Sequence, residues 1–495
     1  MSALRAKRVL RWARDCNAGF AVVAPNPSSS FQFSLRPVVA LLVLAAVTCW
    51  QPRSLAQPAL QTLLTNGPTL NRLNIVFLSE GYTTNQLPQF LVDATNALNA
   101  LLSHPPFLEY RSYFNAFAIS VASNQSGSDH PGYPQYRDTY FNSSYDPISD
   151  LLITIPPNSQ DTNYSHGQGK VDALLQTFMP KCHLPVLLVN DLVYGGSDGF
   201  YKTAIAAVAA GSSDILAHET GHVLANLGDE YATPYPGFPD TEEPNTTRET
   251  RPDFIKWKAW IATNTPIPTP ETDPYSSVIG LFEGAHYHPT NWYRPKLDCA
   301  MRSFGLPFCQ VCAETLVLAF YQRIRPTDAF TPANTNLSVS SPQPMAFSVA
   351  VLQPATHTLS IQWSANGTAL AGETNLTFTL LPQSLGNGSN RVSVTVKDNT
   401  LLVRNDPTNL LSQTLSWTLD INLPQLRLDS AAWAAGGQFS FRVSGSAPQG
   451  FVIQGSTNLS LWAPLATNSL VAGQFWYTNN GAAGFPAKFF RAITQ

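Results

Sequence analysis

The sequence predicts a multidomain chain: an α/β domain followed by an all-β sandwich and a smaller all-β module. Three observations carry that expectation. The 495 residues exceed what one ordinary core holds, and about 150 residues per domain suggests two or three units. Up to about residue 326, near-continuous apolar runs alternate with segments of helical period. Beyond Arg325-Pro326 the rhythm becomes strict polar/apolar alternation with Gly and Asn at the joins.

The elements follow in order. RLNIVFLSEGYT reads as a buried strand closing on a Glu-Gly turn, and TNQLPQFLVDATNALNALLS as a helix with Thr84 or Asn85 as its cap. FNAFAISVAS is a second strand. LPVLLVND is a third, apolar at nearly every position, as in a sheet covered on both faces. Between the second and third strands the polar stretch 123–146 is irregular and a candidate cleft wall, where Asp129 and His130 either touch the cleft or shape a loop. KTAIAAVAA, after the glycine-rich VYGGSDGF, reads as an edge strand whose small side chains admit another extended backbone. GSSD then caps a helix through Ser212, Ser213 or Asp214. A long proline-rich segment follows, and the last part of the stretch ending at Ile324 is again helical.

From about 327 to 423 the runs LSVSS, AFSVAVL, HTLSIQW, TFTLL, RVSVTVKD and TLSWTLDIN read as an immunoglobulin-like sandwich. Residues 424–495 give a smaller β module, in which Trp462, Trp476 and Tyr477 are packing residues or a contact surface for a glycan or cell surface.

Residues 1–56 read as an export signal. Arg5, Lys7, Arg8, Arg11, Arg14 and Arg36 precede the apolar run VVALLVLAAVTCW, and Ser54-Leu55-Ala56 offers small residues for cleavage. The run is shorter than the roughly 20 residues that span a bilayer, which makes a retained anchor the second reading. The whole chain has 29 basic and 32 acidic residues; the first 56 hold seven of the former and one of the latter, so the mature chain carries 22 against 31, or −9. That balance argues against nucleic acid or an anionic membrane as partner. Cys182, Cys299, Cys309 and Cys312 remain in the mature chain, an even number that reads first as two disulfides. The competing reading is a four-cysteine structural zinc, favoured by the CxxC at Cys309 and Cys312.

The chemistry concentrates in HETGHVLANLGDEY, residues 218–231. Four residues apart on a helix, His218 and His222 lie on one face about 6 Å apart along the axis, and both can present an imidazole nitrogen to one zinc. Glu219 flanks that site as a general base, and Gly221 gives room beside the ligands. A catalytic zinc takes three protein ligands. On a continuing helix Asp229 would lie about 10 Å beyond His222, out of reach, so the helix must stop and turn back at Asn226-Leu227-Gly228. Asp229 is then the expected third ligand. Glu230 is its nearest rival, with Glu283, His286 and His288 available from a distant segment.

The same stretch resembles the HExGH…LxDEY signature of peptidase family M64, the immunoglobulin A peptidase type of zinc metallopeptidase. The similarity extends to NIVFLSEGYT, DTYFNSS, VNDLVYGG, GLFEGAHY and YRPKLDCAM…FCQVCAE, roughly residues 65 to 322. The resemblance implies a secreted or surface zinc endopeptidase with a metzincin-like catalytic domain at 57–326, acting on protein or peptide substrates. Met301 is similar to the methionine beneath the metzincin metal. Where metzincins often have a glycine after the second histidine this chain has Ala225, and where they have a third histidine it has Gly228, which moves the expected turn to Gly228. With Ser303 at the position of a usual tyrosine, Tyr231 is the candidate for steadying an oxyanion. One catalytic Zn²⁺ is expected, and a structural Ca²⁺ is left open. Two other classes compete: a zinc amidase acting on a cell-wall polymer, and an adhesion protein with a vestigial metal site.

Overall fold

The computed structural model describes residues 57–198, 202–445 and 449–494; the expected export segment 1–56, with Cys16 and Cys49, lies outside them. Strands β1 (Ala59–Leu64), β2 (Leu73–Glu80), β3 (Phe114–Ser120), β4 (Leu184–Val189), β5 (Gly196–Ser197) and β6 (Ala204–Ala207) form a six-stranded sheet in the order β1-β3-β2-β4-β6-β5. The four inner strands are parallel, and β1 and β5 run antiparallel at the two edges. Four helices accompany the sheet: α1 (Leu87–Leu101), α2 (Gly167–Phe178), α3 (Ser212–Ala225) and α4 (Gln310–Tyr321).

Side chains alternate across a strand, so each face of the sheet collects its own set. Ile75, Phe77, Val186, Leu188, Ala204 and Ala206 join Phe90 and Leu98 of α1, Leu216 and Leu224 of α3, and Leu316 and Phe320 of α4. Val76, Leu78, Leu187, Val189 and Ile205 pack with Val171 and Leu174 of α2. Cover on both faces is the reason that LPVLLV is apolar throughout.

Three local expectations are corrected. The first helical segment is entered through a capping box between Thr83 and Gln86, one residue ahead of Thr84. No side chain caps α3: its N-cap is Gly211 at φ 84°, and Ser212 is already helical. The left-handed entry suits a residue without Cβ. KTAIAAVAA is not an edge, because the glycine-rich segment before it folds back and pairs Gly196 with Ala206 and Ser197 with Ile205, while Leu152 bridges to Gly196 on the far side.

Beyond residue 326 the described chain is almost wholly β. Thr327–Thr331, Met345–Val351 and Thr377–Leu380 form one sheet, and Asn336–Val339, Ser412–Ile421, Gly388–Lys397, Ser360–Ala365 and Thr368–Ala369 another. Their inner residues, among them Phe347, Trp363, Phe378 and Trp417, share one core. Two further three-stranded sheets between Arg427 and Thr494 share a smaller core of Phe441, Val443, Phe451, Ile453 and Leu470. There Tyr477 packs on Phe441, Arg491 lies over Trp462, and Trp476 is exposed.

Asp398, in the loop after Gly388–Lys397, is buried against the α/β part. Its carboxylate accepts hydrogen bonds from Tyr110 Oη (2.9 Å), Tyr321 Oη (2.7 Å) and the Thr400 amide (2.8 Å), and lies 2.6 Å from His357 Nε2. Asp398→Ala leaves several buried donors without a partner and is expected to destabilise the chain by about 3 kcal/mol, against about 1 kcal/mol for Tyr110→Phe, which removes one bond and leaves the others. Chemical denaturation of the two variants checks this; equal, small losses would show that the network contributes little.

Candidate metal centre

Helix α3 carries His218, Glu219 and His222, all buried. It passes close to the segment after Cys299: a Cβ on Gly221 would stand 3.0 Å from Met301 Sδ and 3.2 Å from Phe308, so the glycine permits the approach. The helix ends at Ala225, and Asn226 takes a left-handed conformation (φ 53°, ψ 37°); its amide donates to the His222 carbonyl and the Leu227 amide to that of Gly221. The turn expected at Gly228 therefore comes two residues earlier, at a residue type that tolerates this region of φ/ψ. Gly228 serves a different need. A Cβ there would lie 2.4 Å from Glu243 Oε2, and its amide and carbonyl are both held by Asn245, at 2.7 and 2.9 Å.

The early stop returns Asp229 to the histidines. Asp229 Oδ1 lies 3.0 Å from His218 Nε2 and 3.4 Å from His222 Nε2, and the two Nε2 atoms are 3.1 Å apart. The other ring nitrogens are engaged with backbone: His218 Nδ1 with Ala300 O at 2.9 Å and His222 Nδ1 with Leu227 O at 2.5 Å. A neutral imidazole donating from Nδ1 presents only a lone pair at Nε2. Two such lone pairs and a carboxylate oxygen then converge on one point, and Asp229 Oδ1 is buried without an aligned hydrogen bond. A cation satisfies all three atoms, and the donor set of two imidazoles and a carboxylate suits zinc.

The charges agree with a site built for a cation. Burial works against a charged His222, but Asp229 outweighs it and lifts the imidazole to about 9. Burial would raise the Asp229 carboxyl, yet the two imidazoles hold it far below its ordinary value. Burial pushes Glu219 up to about 8, with His218 acting in the opposite direction.

The Tyr231 ring stacks over His218 at 6.0 Å between centroids. Sequence reasoning missed Tyr287, whose hydroxyl donates to Asp229 Oδ2 at 2.5 Å and so orients the carboxylate. It lies in a short strand pair, Phe282–Ala285 with His288–Arg294, where His286 and Tyr287 both have positive φ. The quoted run GLFEGAHY ends on this tyrosine, and only its meeting with Asp229 reveals a role.

The rivals for third ligand go elsewhere. His286 sits between Glu243 Oε2 and the Pro239 carbonyl, His288 bonds the His286 carbonyl, and Glu283 accepts from the Asn291 amide. Glu230 belongs to a separate buried group with Cys299, Cys309 and Cys312. The two expected disulfides are likewise corrected: all four cysteines are free of disulfides, with Cys182 packed beside the α2 core and Cys299 Sγ 3.7 Å from Cys312 Sγ. Met301 is fully buried beneath Gly221. His130 lies between Asp150 and Asp191 and stacks on Tyr145, which makes it a loop-shaping residue.

A buried pair of helix histidines with a returning aspartate and an adjacent glutamate makes a candidate metal site, and comparison with known families supports a peptidase. The family described as IgA Peptidase M64 matches residues 61–274 and 271–320, and the chain belongs to that family. None of the curated proteins matches it. Among solved structures, β-glucuronidase 3 of Bacteroides uniformis is 10% identical over 42% of this chain and 28% of its own, with a TM-score of 0.14. The fibronectin(III)-like modules of Clostridium thermocellum CbhA are 5% identical over 30% of this chain and 77% of theirs, also at 0.14. The amphioxus IgVJ-C2 molecule is 14% identical over 32% and 98%, at 0.13. Likenesses this slight carry no inference about fold or activity.

Proposed function

We propose that this chain is an exported zinc-dependent endopeptidase, with a metzincin-like catalytic domain at 57–326, an immunoglobulin-like sandwich at 327–423 and a small β module at 424–495. The convergence of His218 Nε2, His222 Nε2 and Asp229 Oδ1 on one buried point is the observation that carries this reading. Zinc held by these three atoms would supply a Lewis acid for the scissile carbonyl and a water of lowered pKa.

The chain's own residues do the rest. Glu219 takes a proton from the attacking water as the new C–O bond forms, then returns it to the amide nitrogen as the C–N bond breaks. Its burial favours this exchange by bringing its proton affinity close to neutrality. Ala300 and Leu227 carbonyls hold the rings of His218 and His222, and Tyr287 holds Asp229. Tyr231, whose ring stacks beside His218, would steady negative charge on the carbonyl oxygen.

Cleavage-site mapping by mass spectrometry on a mixed protein library tests the function, with wild type, chelator-treated enzyme and the Glu219→Ala variant side by side. Peptide-bond cleavage that chelation abolishes and zinc restores is expected. Inertness toward every protein, with release of amide products from cell-wall polymer, would instead support the amidase class; inertness toward both would leave an adhesion protein.

Two smaller predictions follow from the supports. Tyr287→Phe keeps the ring and loses the bond to Asp229, and should weaken zinc retention by about 10- to 100-fold, the range for loss of a partner behind a ligand. Protons also compete for the ligands, since His222 is raised to about 9 by Asp229. Raising the pH removes that proton, so apparent zinc affinity should climb about tenfold per unit between roughly pH 6 and 8. Chelator competition measures both, and a flat pH profile would rule out protonated histidines in the metal-free site.

A further inference from the structure

We propose that Cys299, Cys309, Cys312 and Glu230 form a second, structural metal site that takes a thiolate-binding divalent cation, zinc above all. The ligand atoms lie within 4.8 Å of one another, and all four residues are buried. Cys309 is the N-cap of α4, Cys312 lies in its first turn, and Cys299 comes from the loop that runs beneath α3. The chain thus supplies a Cys-x₂-Cys knuckle and two further ligands from separate segments.

The distances separate this reading from its rivals. Tetrahedral zinc with bonds of about 2.3 Å to sulfur and about 2.0 Å to oxygen places two sulfurs about 3.8 Å apart, and a sulfur and an oxygen about 3.5 Å apart. Cys299 Sγ and Cys312 Sγ are 3.7 Å apart, and Cys312 Sγ is 3.5 Å from Glu230 Oε1. A disulfide needs about 2.05 Å. The Cys309 amide donates to Cys299 Sγ at 3.2 Å, a bond that favours a thiolate acceptor. Glu230 Oε2 is buried without a hydrogen-bond partner, which a cation would relieve.

The placement also gives the site a purpose, which rests on the function proposed above. Glu230 directly follows Asp229, and its amide bonds the Met301 carbonyl at 2.9 Å. Cys299 directly precedes Ala300, whose carbonyl holds His218. One ion would therefore clamp the turn that carries the third catalytic ligand to the loop that orients the first.

The test is metal content of the purified full chain after loading with Zn²⁺, together with the absorption of the chain loaded with Co²⁺. Wild type should hold about two ions per chain, and the double variant His218→Ala/His222→Ala about one, with an intact thiolate-to-cobalt charge-transfer band. Cys309→Ser should lose that band and one ion, and Cys312→His should keep the ion with a weaker band. Should Cys309→Ser fail to fold, the double histidine variant alone decides. At most one ion in wild type with no charge-transfer band, no such band in the double histidine variant, or a disulfide among these cysteines on mass mapping would overturn the second site. One ion in wild type with the band present, unchanged in the double histidine variant, would instead count against the catalytic centre alone.

Discussion

Glu219→Ala is expected to lower kcat for peptide hydrolysis by about a thousandfold, within the range that a positioned general acid–base supplies, while zinc at the histidines is retained. Glu219 follows His218 on the helix, and its carboxylate lies within 4.8 Å of the ligand nitrogens of His218 and His222; with Asp229 completing three donors, it is left free to act on a water at that point rather than to hold the ion. In the proposed mechanism its contribution is a proton held at the right place and released at the right affinity. Burial brings the carboxyl to about 8, and the charge of a divalent ion held beside it would lower that toward neutrality, where the group can both take a proton from water and give it to a leaving amine. Glu219→Gln keeps size and polarity but cannot move the proton, and should be nearly as slow. Because neither change removes a surface that grips substrate, the loss should fall on kcat with KM little altered. Wild-type turnover in either variant would sink the mechanism.

Asp229→Ala is expected to lose zinc by more than about a hundredfold in affinity, beyond the effect of removing a partner that merely supports a ligand. Three effects act in the same direction. The variant lacks one of three donor atoms, it lacks the negative charge that offsets a divalent ion, and it leaves the Tyr287 hydroxyl without its acceptor. Asp229→Asn separates the first effect from the second, since the amide oxygen can still bind an ion but brings no charge; it should fall between wild type and Asp229→Ala. Equilibrium dialysis against a zinc buffer measures all three proteins. Unchanged zinc content in Asp229→Ala would move the third ligand elsewhere in the chain.

How much of this was readable from sequence differs element by element. The inner strands were, because LNIVFLSE and LPVLLV are apolar on both faces and only a doubly covered sheet requires that. Helix α3 was readable through the spacing of His218 and His222, and the need for it to stop through the position of Asp229. Its caps were not. Gly211 begins the helix by backbone conformation and Asn226 ends it the same way, so the Ser and Asp nearby are not used as caps. KTAIAAVAA looked open because a sequence does not reveal which neighbour takes its free side; two residues of the preceding loop take it.

Sequence alone determined the residues that periodicity and ligand spacing constrain locally: two histidines on one helical face, a glutamate between them, and a returning acid that a straight helix could not deliver. Tertiary structure decided everything that depends on which distant backbone comes near. It brought Ala300 to His218, Tyr287 to Asp229, and Glu230 to three cysteines that sequence read first as disulfide partners. The physical reason is range. Helical pitch relates residues a few positions apart, whereas a partner some 60 to 80 residues away is chosen by how the sheet, the turn after α3 and the start of α4 pack together.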